Sequence, residues 1–81
     1  MIVRAMRFLA YMDLITKQET ATVIDHRATG GIAREARVKA GISLREIARR
    51  LGKTAPYIGD LELGRRNWSQ PMLTAYKEAM K

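Results

Sequence analysis

The chain has 81 residues, no cysteine, one histidine (His26), and 15 lysines and arginines against 8 acids, for a formal charge of +7. That length builds one small core, and the lack of cysteine excludes disulfides and thiolate metal sites and suits a reducing, cytoplasmic setting. With a single imidazole and scattered acids there is neither a nucleophile–base pair nor a metal-ligand constellation, so neither an enzyme nor a cofactor is expected.

The charge is uneven. Residues 31–81 carry 11 lysines and arginines against 5 acids, whereas residues 1–30 carry 4 against 3. A basic segment beside a near-neutral one points the basic segment toward a polyanion.

Residues 1–15 are apolar-rich, and Ile2, Met6, Leu9 and Met12 fall on one side of a helix expected over residues 2–15. Arg4, Arg7 and Asp13 interrupt that stretch. A membrane span needs about 20 mostly apolar residues, so neither a transmembrane helix nor a signal peptide is expected. Residues 16–29, threonine-rich around Thr22-Val23-Ile24, read equally as a short strand or a linker. His26, next to Asp25, is expected to be an exposed linker residue. Gly30-Gly31 is the clearest break and separates an N-terminal extension (1–30) from a basic module (31–81). The module opens with a helix over about residues 32–40, ending at Gly41, with Ala33, Ala36 and Ala40 facing inward and Arg37 on the same side.

Residues 43–66, SLREIARRLGKTAPYIGDLELGRR, are the most informative stretch. Ser43 and Glu46 have capping-box spacing, and Leu44, Ile47, Ala48 and Leu51 recur at i, i+3, i+4 and i+7 to form one apolar face. Gly52 stops this helix in the left-handed cap conformation. Thr54 N-caps a second helix over about residues 55–63, with Pro56 tolerated in its first turn. Ile58 and Leu61 then face Ile47 and Leu51, and Gly64 closes the helix. A last helix starts at Ser69, with Met72, Leu73, Tyr76 and Met80 as apolar candidates. Trp68, just before it, is expected to fill the core rather than lie against a sugar-phosphate edge.

Two short helices joined by a tight turn and flanked by arginines form a helix-turn-helix pattern. Its marks are Arg37-x-x-x-Gly41-Ile42-Ser43, Ile47-Ala48-x-x-Leu51-Gly52 and Tyr57-Ile58-x-Asp60-Leu61-Glu62-x-Gly64-Arg65-Arg66. On these residues, positions 32–80 resemble the lambda-repressor/Cro (XRE-like) family of helix-turn-helix DNA-binding domains. Residues 1–30 lie outside the resemblance. It implies an all-α fold, a small helical bundle of four family-like helices plus a partly helical N-terminal extension. Ala48 is small where the second module helix must pass close to the third. The family pattern also pairs Arg37 with Glu62 as a structural ion pair rather than as DNA contacts.

The resemblance places the third module helix in the major groove, making Thr54, Ala55, Pro56, Gly59 and Asp60 the base-reading positions. Here the chain departs from the clearest members, which carry long amides. Ala55 and Pro56 offer only apolar contact to a thymine methyl, while Asp60 either accepts from a cytosine amino group or is a helix-surface residue. Phosphate contacts are expected at the N-terminus of the second module helix, through Ser43 and free backbone amides, and at Arg45 and Arg49. Arg45 and Arg49 are like charges at i, i+4 that an anionic partner would relieve. Lys53, Arg65, Arg66 and Asn67 join the phosphate set, as does Tyr57, for which packing alone is the other reading. Arg50, with Glu46 at i−4, reads as a surface pair.

The resemblance therefore implies a small bacterial or phage transcriptional regulator, a repressor, binding double-stranded DNA as a homodimer on a two-fold operator. No small-molecule ligand is evident, and residues 1–30 would dimerise the module or complete its core. The rival is an antitoxin-like or adaptor module that uses the scaffold to bind protein. The lack of hydrogen-bonding side chains at positions 55 and 56 favours that rival, and the arginine set opposes it.

Overall fold

The computed structural model describes the backbone of residues 2–20 and 23–81, and side chains within 9–20 and 23–81. The described residues form five helices and no strand: α1 (Ile2–Thr20), α2 (His26–Lys39), α3 (Leu44–Leu51), α4 (Ala55–Glu62) and α5 (Gln70–Ala79). The fold is all-α, as expected, and its differences from the expected elements lie in the N-terminal half.

α1 runs past its expected end at residue 15 into the threonine-rich stretch. Thr16 and Thr20 turn their hydroxyls back to the carbonyls of Met12 (3.0 Å) and Thr16 (3.1 Å), so their polar groups are satisfied inside a continuing helix. After residues 23–25, Asp25 N-caps α2 by accepting from the Ala28 amide at 3.1 Å. The module's first helix therefore begins at His26, six residues before the expected start.

Gly30-Gly31, expected as a break, lies inside α2. A Cβ on Gly30 would stand 2.4 Å from the Leu61 carbonyl oxygen and 2.5 Å from that of Glu62, so α2 crosses the C-terminal end of α4 backbone to backbone. Helix-interior glycine costs about 1 kcal/mol relative to alanine, and here the close approach is what it permits. Gly31 faces the other way, with nothing within 4 Å of a Cβ built there. Ala33 and Ala36 are buried as expected, but Ala40 is an exposed C-cap, because α2 has ended there.

α3 and α4 start at the expected caps. The Ser43 hydroxyl accepts from the Glu46 amide at 3.0 Å and the Thr54 hydroxyl from the Tyr57 amide at 3.3 Å. The reciprocal half of the capping box is not made, because the Glu46 carboxylate turns to Arg49 and Arg50 instead. Gly52 (φ 65°) and Gly64 (φ 76°) take the left-handed conformation after α3 and α4.

The core gathers Ile15 from α1, Ala33 and Ala36 from α2, Ile47 and Ala48 from α3, Ile58 and Leu61 from α4, and Leu73, Tyr76 and Met80 from the C-terminal end, with Trp68 among them. Trp68 fills the core as expected. Its Nε1 donates to the Leu61 carbonyl at 3.0 Å and its ring meets Tyr76 edge-on, with centroids 5.4 Å apart. His26 is not a free linker residue: as the first residue of α2, its Nδ1 accepts from the Trp68 amide at 2.9 Å. On α1, Tyr11 and Met12 pack at the core's edge beside buried Ile15, whereas Leu9 is 60% exposed because it falls outside that stripe. The expected contributions of Ile2 and Met6 lie outside the described side chains. Glu19 ties α1 to α5 by pairing with Lys77 at 2.8 Å and accepting from the Thr74 hydroxyl.

Two outcomes check this packing. Gly30→Ala should destabilise the fold by about 1–3 kcal/mol or more through overpacking, while Gly31→Ala should stabilise it by about 0.5–1 kcal/mol through helix propensity. Urea unfolding of both variants reads the difference, and similar effects at the two glycines would contradict the backbone crossing. The hydrogen bonds from Lys77 and Thr74 hold the Glu19 carboxyl below its ordinary range. A depressed folded pKa gives stability that is full above the unfolded value and is lost as pH falls through the folded one. Glu19→Gln should therefore lower stability at neutral pH and flatten its acid dependence below about pH 4.5.

Candidate nucleic-acid interface

The helix-turn-helix is anchored from beneath by a buried polar network. The Arg37 guanidinium grips Glu62 in a bidentate pair, Nε to Oε2 at 2.8 Å and Nη2 to Oε1 at 3.0 Å. Its Nη1 donates to the Ile42 carbonyl at 2.9 Å, in the α2–α3 connection. The two side chains are only 10% and 3% exposed. Tyr76 of α5 joins them, its hydroxyl donating to Glu62 Oε2 at 2.6 Å and lying 3.2 Å from the Ala33 carbonyl. Burial, and then the hydrogen bond to the Glu62 carboxylate, push the Tyr76 phenol well above its usual range. The hydrogen bond to Glu62 likewise raises Arg37 above the usual arginine value. Tyr76 entered the sequence reading only as an apolar residue, because its polar role depends on a partner 14 positions away.

With its C-terminal end held by α2 and α5, α4 presents its first turns outward. Thr54 and Pro56 are exposed, although the Thr54 hydroxyl is engaged as the N-cap. Ala55 is half-buried with its methyl packed against the core, which removes much of it from the outer surface. Gly59 is half-buried, and a side chain there would meet only Leu44 Cδ2, at 3.6 Å. The Asp60 carboxylate has no partner among the described residues. Arg65 reaches Asp60 only through the main chain, its amide donating to the Asp60 carbonyl at 2.9 Å.

The expected phosphate positions divide into two groups. Arg49 and Arg50 are both held by Glu46, with Nε–carboxylate distances of 2.9 Å, and Arg50 also donates to the Ala79 carbonyl at 2.8 Å. The hydrogen bonds from Arg49 and then Arg50 draw the Glu46 carboxyl down to about 2. The repulsion expected between Arg45 and Arg49 is thus relieved within α3, by an acid three residues before Arg49. The Ser43 hydroxyl is engaged as the N-cap. Arg45, Lys53, Arg65 and Arg66 are exposed and have no acidic partner among the described residues, and Asn67 beside them is also exposed. Lys53 and Arg66 instead both lie against the half-buried Tyr57 ring, at 5.2 Å and 4.3 Å from its centroid.

The sequence reading missed Arg27. Its Cα, Cβ and Cγ stand 3.0–3.3 Å from where a Gly64 Cβ would be, next to Arg65 and Arg66, and its guanidinium has no partner among the described residues. Asp25 as an N-cap was the available signal, since it extends α2 back through Arg27. Lys17 in the last turn of α1 and Lys39 at the end of α2 are also without an acidic partner among the described residues. Among the described residues, no group of three His, Asp or Glu side chains is arranged to hold a metal, and no helix is long and apolar enough to cross a membrane.

A protein family described as helix-turn-helix matches residues 34–81, from the middle of α2 to the last residue. No curated protein and no solved structure matches the chain.

The network makes a prediction about stability. Arg37→Ala should destabilise the fold by about 3–5 kcal/mol, because it strands a buried carboxylate. Tyr76→Phe should cost about 1.5–3 kcal/mol, the range for a hydrogen bond to a charged group. Urea denaturation measures both, and a Tyr76→Phe loss below about 0.5 kcal/mol would show that Glu62 does not depend on the phenol.

Proposed function

The chain belongs to the XRE-type, lambda-repressor/Cro-like helix-turn-helix family, a family of DNA-binding regulators, and from that premise we propose that it is a sequence-specific transcriptional repressor of a bacterium or phage. In this reading α4 enters the major groove while the N-terminus of α3 and the loop after α4 rest on the phosphate backbone. The observation that carries it is the set of unpaired cations, Arg45, Lys53, Arg65 and Arg66, on the outward side of α3–α4 and its following loop. Arg49 supplements them once DNA competes with Glu46, and Ser43, Tyr57 and Asn67 add neutral contacts.

Base reading falls to Thr54, Ala55, Pro56, Gly59 and Asp60. Pro56 and the exposed part of Ala55 suit a thymine methyl, and the absence of a side chain at Gly59 lets a base edge approach closely. An unpartnered carboxylate near phosphates needs a donor, and Asp60 finds one in a cytosine amino group. One such helix reads one half-site, so the working unit is a homodimer on a two-fold operator. The N-terminal helix α1 completes the module's core, a role supported by the full burial of Ile15. The protein works in the cytoplasm, on the nucleoid when bound.

Titrating the chain against random-sequence duplex at several salt concentrations tests this reading. These four cations give a slope of log K against log salt of up to about −3.6 per bound monomer. Absence of binding at low salt would overturn the reading in favour of a protein-interaction module.

A further inference from the structure

Tyr57 sits in the first turn of α4, and its ring is the meeting point of cations from both ends of that helix. Lys53 arrives from the turn before α4, with its ammonium 5.2 Å from the ring centroid. Arg66 arrives from the loop after α4, its guanidinium carbon 4.3 Å away. We propose that Lys53, Tyr57 and Arg66 form one preorganised clamp for a single DNA backbone phosphate, in which Tyr57 is the positioning residue. This rests on the reading of the chain as a DNA-binding protein.

Two like charges gathered around one ring repel each other, and an exposed cation–π contact returns only about 0.5–1 kcal/mol apiece. Neither cation has an acid to offset the repulsion. Glu46 is committed to Arg49 and Arg50, Glu62 is buried against Arg37, and Asp60, one turn along from Tyr57, pairs with neither. The cluster is therefore an electrostatic deficit that an anion within reach of both heads would relieve.

The ring itself is not a mobile surface group. Tyr57 is half-buried, packs against the core, and has its amide bonded to the Thr54 hydroxyl, so the fold fixes where the cations gather. Free lysine and arginine side chains each carry about 2 kcal/mol of rotamer entropy. Ordering them on a fixed ring before the ligand arrives removes part of that cost from binding. The chemistry of the three groups is complementary. A guanidinium can meet two phosphate oxygens, an ammonium acts as a point charge, and the Tyr57 hydroxyl, which has no partner among the described residues, can donate to a further oxygen.

The test uses the full chain and random-sequence duplex, with binding followed by fluorescence anisotropy across a salt series and folding checked by thermal melts. Lys53→Ala and Arg66→Ala are measured singly and together, each with Tyr57 and with Tyr57→Leu; Tyr57→Phe keeps the ring. If both cations share one phosphate, the double variant should reduce the salt slope by about 0.9 per bound monomer, one contact rather than two. Tyr57→Leu should weaken binding about tenfold and blunt the effect of removing either cation, while Tyr57→Phe should cost only the fewfold of one hydrogen bond. Additive losses and a slope change of two contacts per bound monomer would overturn the clamp. So would a Tyr57→Leu protein that binds like the unsubstituted chain, and in either case the DNA-binding reading stands. Failure of the unsubstituted chain to bind duplex removes both. Should Tyr57→Leu not fold, the Lys53–Arg66 cycle decides by itself.

Discussion

The crossing of α2 over the C-terminal end of α4 is the constraint on which the rest of the helix-turn-helix depends. At Gly30 the two backbones meet without a side chain between them. Two turns further along α2, Arg37 reaches Glu62 with both arms of its guanidinium. The carbonyl of Leu61 lies under Gly30 and also accepts from Trp68, so the last turn of α4 is covered from two sides. A buried ion pair adds little net stability over a well-packed apolar replacement, because desolvation offsets much of the attraction. What the pair provides is direction. A bidentate guanidinium has one good orientation toward a carboxylate, and the Tyr76 hydroxyl constrains that carboxylate from α5. Two helices, α2 and α5, thereby agree on the position of a third.

The same economy of acids explains the charge pattern at the surface. Each acid of the helix-turn-helix except Asp60 is committed to a cation: Glu46 serves two arginines on its own helix and Glu62 serves Arg37. The cations left over are those of the interhelical turn, the first turn of α3 and the loop after α4. A formal charge of +7 could have been dispersed as solvated pairs over the whole surface. Within the helix-turn-helix, which cations stay unpaired is decided by where the acids are placed more than by where the arginines are.

Local chemistry was legible in the sequence, and non-local chemistry mostly was not. The caps at Ser43, Thr54 and Ser69, the left-handed glycines after α3 and α4, and the 3.6-residue stripe of α3 all act within a few residues, so spacing reveals them. Arg37 and Glu62, 25 positions apart, were paired through a family pattern and not through anything adjacent to them. Gly30 shows the opposite case. Glycine serves both to break a helix and to let two backbones touch, and only the position of Leu61 and Glu62 tells which use applies. Thr16 and Thr20 were ambiguous for a related reason: a threonine that bonds to the carbonyl one turn back continues a helix, while the same residue elsewhere favours a strand. The convergence of Lys53 and Arg66 on Tyr57 needs the path of the loop after α4, which no local pattern encodes.

The two ends of α4 therefore have different physical roles in the proposed docking. Its C-terminal turn is rigid, buried and polar in a satisfied way, which fixes the angle at which the helix leaves the body of the protein. Its N-terminal turns carry few donors: a capping hydroxyl, a half-buried methyl, a proline ring and an unpartnered carboxylate. A bidentate side-chain-to-base pair discriminates by about 1–3 kcal/mol, and no long amide or arginine stands at positions 54–60 to make one. In the proposed docking, base discrimination would rest on methyl contacts and one acceptor, with the cost of deforming the DNA and the spacing of two half-sites supplying the remainder. Those terms depend on how accurately each monomer is seated on the backbone. A ring that holds two cations in place before contact improves that seating, which links the sparse recognition helix to the charge around it.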